Sequence, residues 1–286
     1  MNNVFDINRF GKVLGFDAKK YFHNFGLTLA ILCAIPIFMW VLTLVFEFTL
    51  LAPIRAGIIY LCTTIAIIIG PAKAFGDINL KREGVRFAML PASTFEKFLS
   101  YTICCLFTIV IVLLGSHAID SLLTVLPFGG FEKYIQNFSI MDNIKMLLND
   151  TVGFFSDEDL TEAEAASAFE LMQNIGRATD VSNIVGLLFT TGLFMLGNLF
   201  FQTHKTAKTI VVMLVVSFVI SNIVQIILIS SGDPISSYII AESDEPDFVG
   251  ISALVKRVTI IPIIINAVLT IGIYIGNYFK MKSLKY

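Results

Sequence analysis

Long apolar runs separated by short polar breaks set the pattern of this chain. Six such runs are placed at about Phe25–Phe46, Gly57–Phe75, Phe98–Leu122, Ser182–Phe201, Ile210–Ser230 and Thr259–Phe279. A helix needs roughly 20 apolar residues to cross the hydrocarbon core, so each run predicts one transmembrane helix. Pro36, Pro71 and Pro262 fall in or near the runs. Each would kink or end a helix, which neighbours in a bundle can absorb.

The breaks carry their own patterns. Ahead of the first run, Ile7, Phe10, Leu14 and Tyr21 share one helical face, and Asn8, Arg9, Lys12, Lys19 and Lys20 share the other. Asp17 intrudes on the apolar side. A basic amphipathic helix over residues 1–24, lying in the membrane interface, is the expectation. A signal peptide is disfavoured, because the next run has the length of a full span and ends without a small-residue cleavage pattern.

Between the second and third runs lies a charged island, Lys81–Ser100, within a loop over 76–97. Pro91 breaks the chain, and Ser93 and Glu96 form an S-x-x-E capping box directly before the apolar run. Upstream of it, Val85–Leu90 is a short apolar segment set among Lys81, Arg82 and Arg86. Such a segment sits at a membrane surface or docks on a partner; an ordinary solvated loop is the plainer alternative.

The segment between the third and fourth runs, 124–181, is acidic. Tyr134, Phe138, Met141, Ile144 and Leu148 have helical spacing within Phe131–Leu148, and Thr161 with Glu164 repeats the capping box. A helical hairpin on the outer surface is expected there. Asn137 and Asn149 begin glycosylation-type triplets, which matter only in a eukaryotic secretory setting. The last outer loop, 231–257, holds an apolar stretch, Ile235–Ala241, beside the acidic run Glu242–Asp247.

Composition agrees with the pattern. The chain is 56% hydrophobic and 15% charged, with a mean hydropathy of +0.81. A soluble domain sits nearer a quarter charged. The fold class is therefore an all-α membrane protein: an N-terminal amphipathic helix, six spans and a helical insert between spans 3 and 4. Of the 20 Lys and Arg residues, 14 fall on the side that holds both termini. Lys/Arg-rich loops stay inside, so both termini are expected in the cytoplasm. Spans 4–6 are followed by a basic C-terminal tail.

Catalytic signatures are lacking. There is no phosphate-binding glycine loop, no dinucleotide fingerprint and no nucleophile elbow. The acidic run Asp157–Asp159 lacks the calcium-loop spacing. Cys33, Cys62, Cys104 and Cys105 all lie in apolar runs and read as buried thiols. His23, His117 and His204 are too scattered for a shared metal site. No catalytic, cofactor or metal residue is assigned, and no nucleic-acid partner. Glu47, Arg55, Asp120 and Lys73 fall at span ends, within reach of headgroups. The absence of a mid-span charge argues against an ion-coupled carrier. Neutral polar residues do occur in the spans: Thr190, Thr191 and Asn198 in the fourth, Ser217, Ser221, Asn222 and Gln225 in the fifth, Asn266 and Thr270 in the sixth. Asn198, Ser217, Ser221, Gln225 and Asn266 are candidates for a polar substrate path; hydrogen bonding between helices is the alternative.

A surface helix, six spans with both ends inside and a charged loop after span 2 resemble the permease subunit of a type-2 ATP-binding-cassette (ABC) exporter. The stretch Arg86–Ser100, RFAMLPASTFEKFLS, resembles the LPAS…EKF signature of permease-like membrane proteins common in the Bacteroidetes. The resemblance implies that residues 3–22 form an elbow helix and that Lys81–Lys97 touches a separate ATPase chain. Arg82, Arg86, Phe87, Met89 and Leu90 would make that contact. It also implies a second membrane subunit and an inner-membrane location. The insert over 124–181 departs from the family's tight turn. A membrane scaffold or assembly factor docking through its acidic outer hairpin is the alternative function, and an ion-coupled secondary transporter the weaker one.

Overall fold

Among the described residues of the protein, six helices are long and apolar enough to cross a bilayer. The computed structural model describes residues 5–46, 52–80, 84–125, 162–230 and 248–284. Within them the chain forms α1 (Ile7–Cys33), α2 (Ile35–Phe46), α3 (Ala52–Phe75), α4 (Gly84–Ala88), α5 (Thr94–Val125), α6 (Glu162–Phe200), α7 (Lys205–Ser230) and α8 (Phe248–Lys282). The first α-helix of the expected hairpin, over Phe131–Leu148, lies outside the described residues, as do Asn137, Asn149, Thr161 and the 231–247 stretch. The second helix of the insert is continuous with span 4 as α6.

The N-terminal helix differs from expectation in two ways. α1 runs unbroken for 27 residues from Ile7 into the first apolar run, so no boundary falls at residue 24. Asp6 caps it, its side chain accepting from the amides of Asn8 and Arg9. The break comes instead at Ala34, where Pro36 removes an amide that α1 would need to continue into α2. The face that α1 buries is also rotated. Val13, Asp17 and Tyr21 are buried, while Ile7 is exposed. The acidic residue that looked misplaced lies on the packed face because it has a partner there.

Two compact units divide the chain. One comprises residues 1–135, 187–213 and 269–286. Its core joins Tyr21 and Phe25 of α1, Phe75 of α3, Tyr101 and Cys105 of α5, Met195 and Leu199 of α6 and Met281 of α8. Phe75 packs edge-on against Tyr101, with ring centroids 5.0 Å apart. Small residues permit close approach: a β-carbon on Gly197 would overlap the Thr209 hydroxyl, and one on Gly192 would sit 3.0 Å from Ile273. The start of α1, the start of α5 and the end of α8 lie at one end of this unit, since Phe95 contacts the rings of both Phe5 and Tyr278.

The other unit comprises residues 136–186 and 214–268. Its described side chains on α7, among them Leu214, Phe218, Ile223 and Ile226, are largely exposed. In both units large aliphatic residues face outward, as a hydrocarbon solvent allows. The protein is a multi-pass α-helical membrane protein.

Candidate functional site

The stretch from 76 to 100 is built by local rules. α3 stops at Phe75, and a β-carbon on Gly76 would overlap the Ala72 carbonyl, so only glycine fits. Two short turns follow, with Ile78 N donating to Phe75 O at 3.2 Å and Leu80 N to Asp77 O at 3.0 Å. α4 is a single turn. The capping box then starts α5: Glu96 N donates to Ser93 Oγ at 3.3 Å, and Ser93 N to Glu96 Oε2 at 2.8 Å. Lys97 folds α4 back onto the start of α5. Its Nζ donates to Phe87 O at 2.8 Å and lies 5.4 Å from the Phe87 ring centroid.

This packing changes the expected contact surface. Phe87, expected among the contact residues, is only 8% exposed and belongs to the core cluster. Met89 is 78% exposed and Leu90 is partly buried against the core. Phe87 and Met89 are two residues apart on one turn, so they point to nearly opposite sides. Arg86 lies on α4, and Arg82 lies outside the described residues.

α1 grips both flanks of this stretch. Glu96, fully buried, accepts from Asp6 N at 2.9 Å and from two nitrogens of Arg9, Nε at 2.8 Å and Nη2 at 2.7 Å. The guanidinium fork fits a carboxylate in this way. One turn into α5, Ser100 Oγ donates to the buried Asp17 at 2.6 Å. On the other flank, Lys20 Nζ donates to both oxygens of Asp77, at 2.6 and 2.5 Å. Tyr21 and Thr108 share a buried hydroxyl bond at 2.5 Å. None of these pairs was assigned from the sequence.

A second junction closes the end of α3. Asn198 Nδ2 donates to Phe75 O and to the Tyr101 hydroxyl, both at 3.2 Å, and its Oδ1 accepts from Lys205 Nζ at 3.2 Å. Lys205 also donates to Gly76 O. An ammonium donating to the Gly76 carbonyl suits the negative end of the α3 dipole. Asn79 Nδ2 donates to Phe201 O at 3.3 Å, tying the same turn to the end of α6. Asn277 Nδ2 reaches Gly192 O at 2.9 Å, between α8 and α6.

The polar-path candidates accordingly separate. Asn198 is committed to three bonds between helices, so it joins elements instead of lining a path. Ser217, Ser221 and Gln225 are exposed on α7, and Asn222 bonds its own helix at Phe218 O, 2.7 Å. Asn266 is partly buried on α8. At the far end of the spans, Arg55 and Asp120 do not reach outward to headgroups. They face each other, Nε to Oδ2 at 3.5 Å, with about a tenth of each side chain exposed. Among the described residues no group of three His, Cys, Asp or Glu side chains is placed to hold a metal.

What the fold and these junctions define is a helical membrane protein whose buried polar side chains hold helix ends together. No family model matches the sequence, and no curated protein or solved structure matches it either.

Proposed function

We propose that the protein is the membrane-spanning, non-catalytic subunit of an ATP-driven exporter. It would sit in the inner (cytoplasmic) membrane with both termini inside, beside a second membrane subunit and a separate ATPase chain. The observation that supports this reading is the braced hairpin over 84–97. It carries an exposed Met89 in the turn directly after a short helix, while Lys97, Glu96 and Ser100 tie its base to α1 and α5. A surface meant to receive a push needs an exposed apolar anchor on a stiff support. Met89, flanked by Arg82 and Arg86 in sequence, replaces Phe87 as the expected anchor.

Pull-down of a co-expressed ATPase, run beside melting in detergent, tests it. Met89→Asp should weaken ATPase binding by about 1–3 kcal/mol, as loss of one interface anchor does, with the melting temperature unchanged. Phe87→Ala should instead lower the melting temperature, through lost core contacts. An ATPase that stays bound to the Met89→Asp protein refutes the contact. A partner recovered only from the outer surface would favour the scaffold reading.

A further inference from the structure

At the end of the bundle that holds the start of α1, the described acids are consumed internally. Among the described residues there, Asp6 caps α1, Asp17 takes Ser100, Asp77 takes Lys20 and Glu96 takes Arg9. Several cations at the same end have no carboxylate partner. Lys12 and Lys19 make no hydrogen bond or ion pair in the described structure, and Lys73 donates only to Thr28 Oγ1. Lys12, Phe16, Lys19 and His23 recur at four- and three-residue steps, so they form one stripe of α1, and all four are exposed. The same stripe continues without a break into Leu27 and Ile31, 77% and 60% exposed. Lys19 lies on the order of 12 Å along the helix from Leu27, at about 1.5 Å per residue. That is the distance from headgroup level to the acyl chains.

We propose that this stripe of α1 binds the headgroups of anionic phospholipids, with Lys12 and Lys19 as the charge-reading residues. Phe16 lies between the two lysines on the same exposed stripe. Leu27 and Ile31 meet the acyl chains of the same lipids. The uncompensated charge supplies the preference for anionic over zwitterionic lipid, since each juxtamembrane lysine near an anionic surface contributes measurably. Lys20 is the internal contrast. It follows Lys19 directly, yet a turn of 100° about the helix axis aims it at Asp77.

The test titrates the detergent-purified full-length protein with phosphatidylglycerol or phosphatidylcholine and follows its melting temperature, which rises when lipid binds the folded state. Phosphatidylglycerol should act at lower concentration than phosphatidylcholine. Lys12→Gln with Lys19→Gln should shift the phosphatidylglycerol titration to roughly 25-fold higher concentration, about fivefold per charge. The lipid-free melting temperature and the phosphatidylcholine titration should not move. Lys20→Gln should do the reverse, lowering the lipid-free melting temperature while keeping the preference. The proposal is overturned if the two lipids act alike on the unaltered protein, or if the double variant keeps the preference. It is also overturned if inorganic phosphate at equal concentration reproduces the phosphatidylglycerol effect, because the site then reads a free anion.

Discussion

Removing the Ser100 hydroxyl isolates one buried bond on which the placement of α1 depends. Asp17 is 1% exposed, and Ser100 donates to its Oδ2 at 2.6 Å. Ser100→Ala deletes the donor and leaves a buried carboxyl oxygen without it, at a cost of about 1–3 kcal/mol. The volume lost is small, so the cavity adds little. For a chain of this size about 2–4 °C of melting temperature corresponds to each kcal/mol, which makes the expected drop several degrees. The sign of the second step is the sharper test. Leucine has the branching of aspartate, so Asp17→Leu in the Ser100→Ala background replaces both partners by apolar groups and should recover most of the loss. Ser100→Thr keeps the hydroxyl and serves as the control. Melting in detergent for the two single variants and the double closes a cycle whose coupling should fall between about 0.5 and 3 kcal/mol. If Ser100→Ala melts like the parent, or if the losses simply add, then α1 is not held through this bond and the packed face has been misassigned.

Two further outcomes test other parts of the structure. Gly197→Ala should cost about 1–3 kcal/mol in melting experiments, since its β-carbon would approach Thr209 Cγ2 at 2.7 Å and Cβ at 2.8 Å while Thr209 is held by its bond to Lys205 O; adding Thr209→Gly should restore stability, and failure to do so would place the strain elsewhere. Single cysteines at Ser93 and Ser167, in a background without the native four, should label from opposite sides of the membrane, and labelling from one side would exclude the six-span arrangement.

The spans were legible because a run of apolar residues is a local property that needs no partner. The capping box was legible for the same reason, as Ser93 and Glu96 are three residues apart. The bonds that brace the loop were not legible. Lys20 finds Asp77 across 57 residues, Asp17 finds Ser100 across 83 and Arg9 finds Glu96 across 87. A helical wheel could flag Asp17 as out of place, but it cannot name the hydroxyl that accommodates it. Polarity also misled at residue 24. It changes there, yet backbone hydrogen bonding does not, so α1 continues to Cys33. On α4 the difficulty was length. One turn has no apolar periodicity to reveal which side faces inward, and Phe87 could be expected to point outward until its carbonyl met Lys97.

The distribution of these bonds bears on how a push on the hairpin would travel. Asp77 precedes α4 and is tied to Lys20, whereas Glu96 and Ser100 follow it and are tied to Arg9 and Asp17. All three ties end on one helix, so α1 bridges the two flanks of the loop like a splint. Displacing the hairpin without moving α1 would break a partly buried carboxylate–guanidinium fork and the buried Asp17–Ser100 bond together, leaving the Glu96 and Asp17 carboxylates unmatched. Such breakage costs more than rigid movement against lipid, where the outward stripe of α1 is exposed. α1 and the start of α5 should therefore move as one body, and Tyr21 with Thr108 extends that body two turns further into the spans. In an exporter subunit, motion received at Met89 would enter the membrane through α1 as well as α5. In a static scaffold the same splint would merely hold a loop in place. Ser100→Ala removes one of the three ties without touching the exposed Met89. In an exporter this variant should bind the ATPase normally while uncoupling its ATP hydrolysis from transport, and normal coupling would refute the splint.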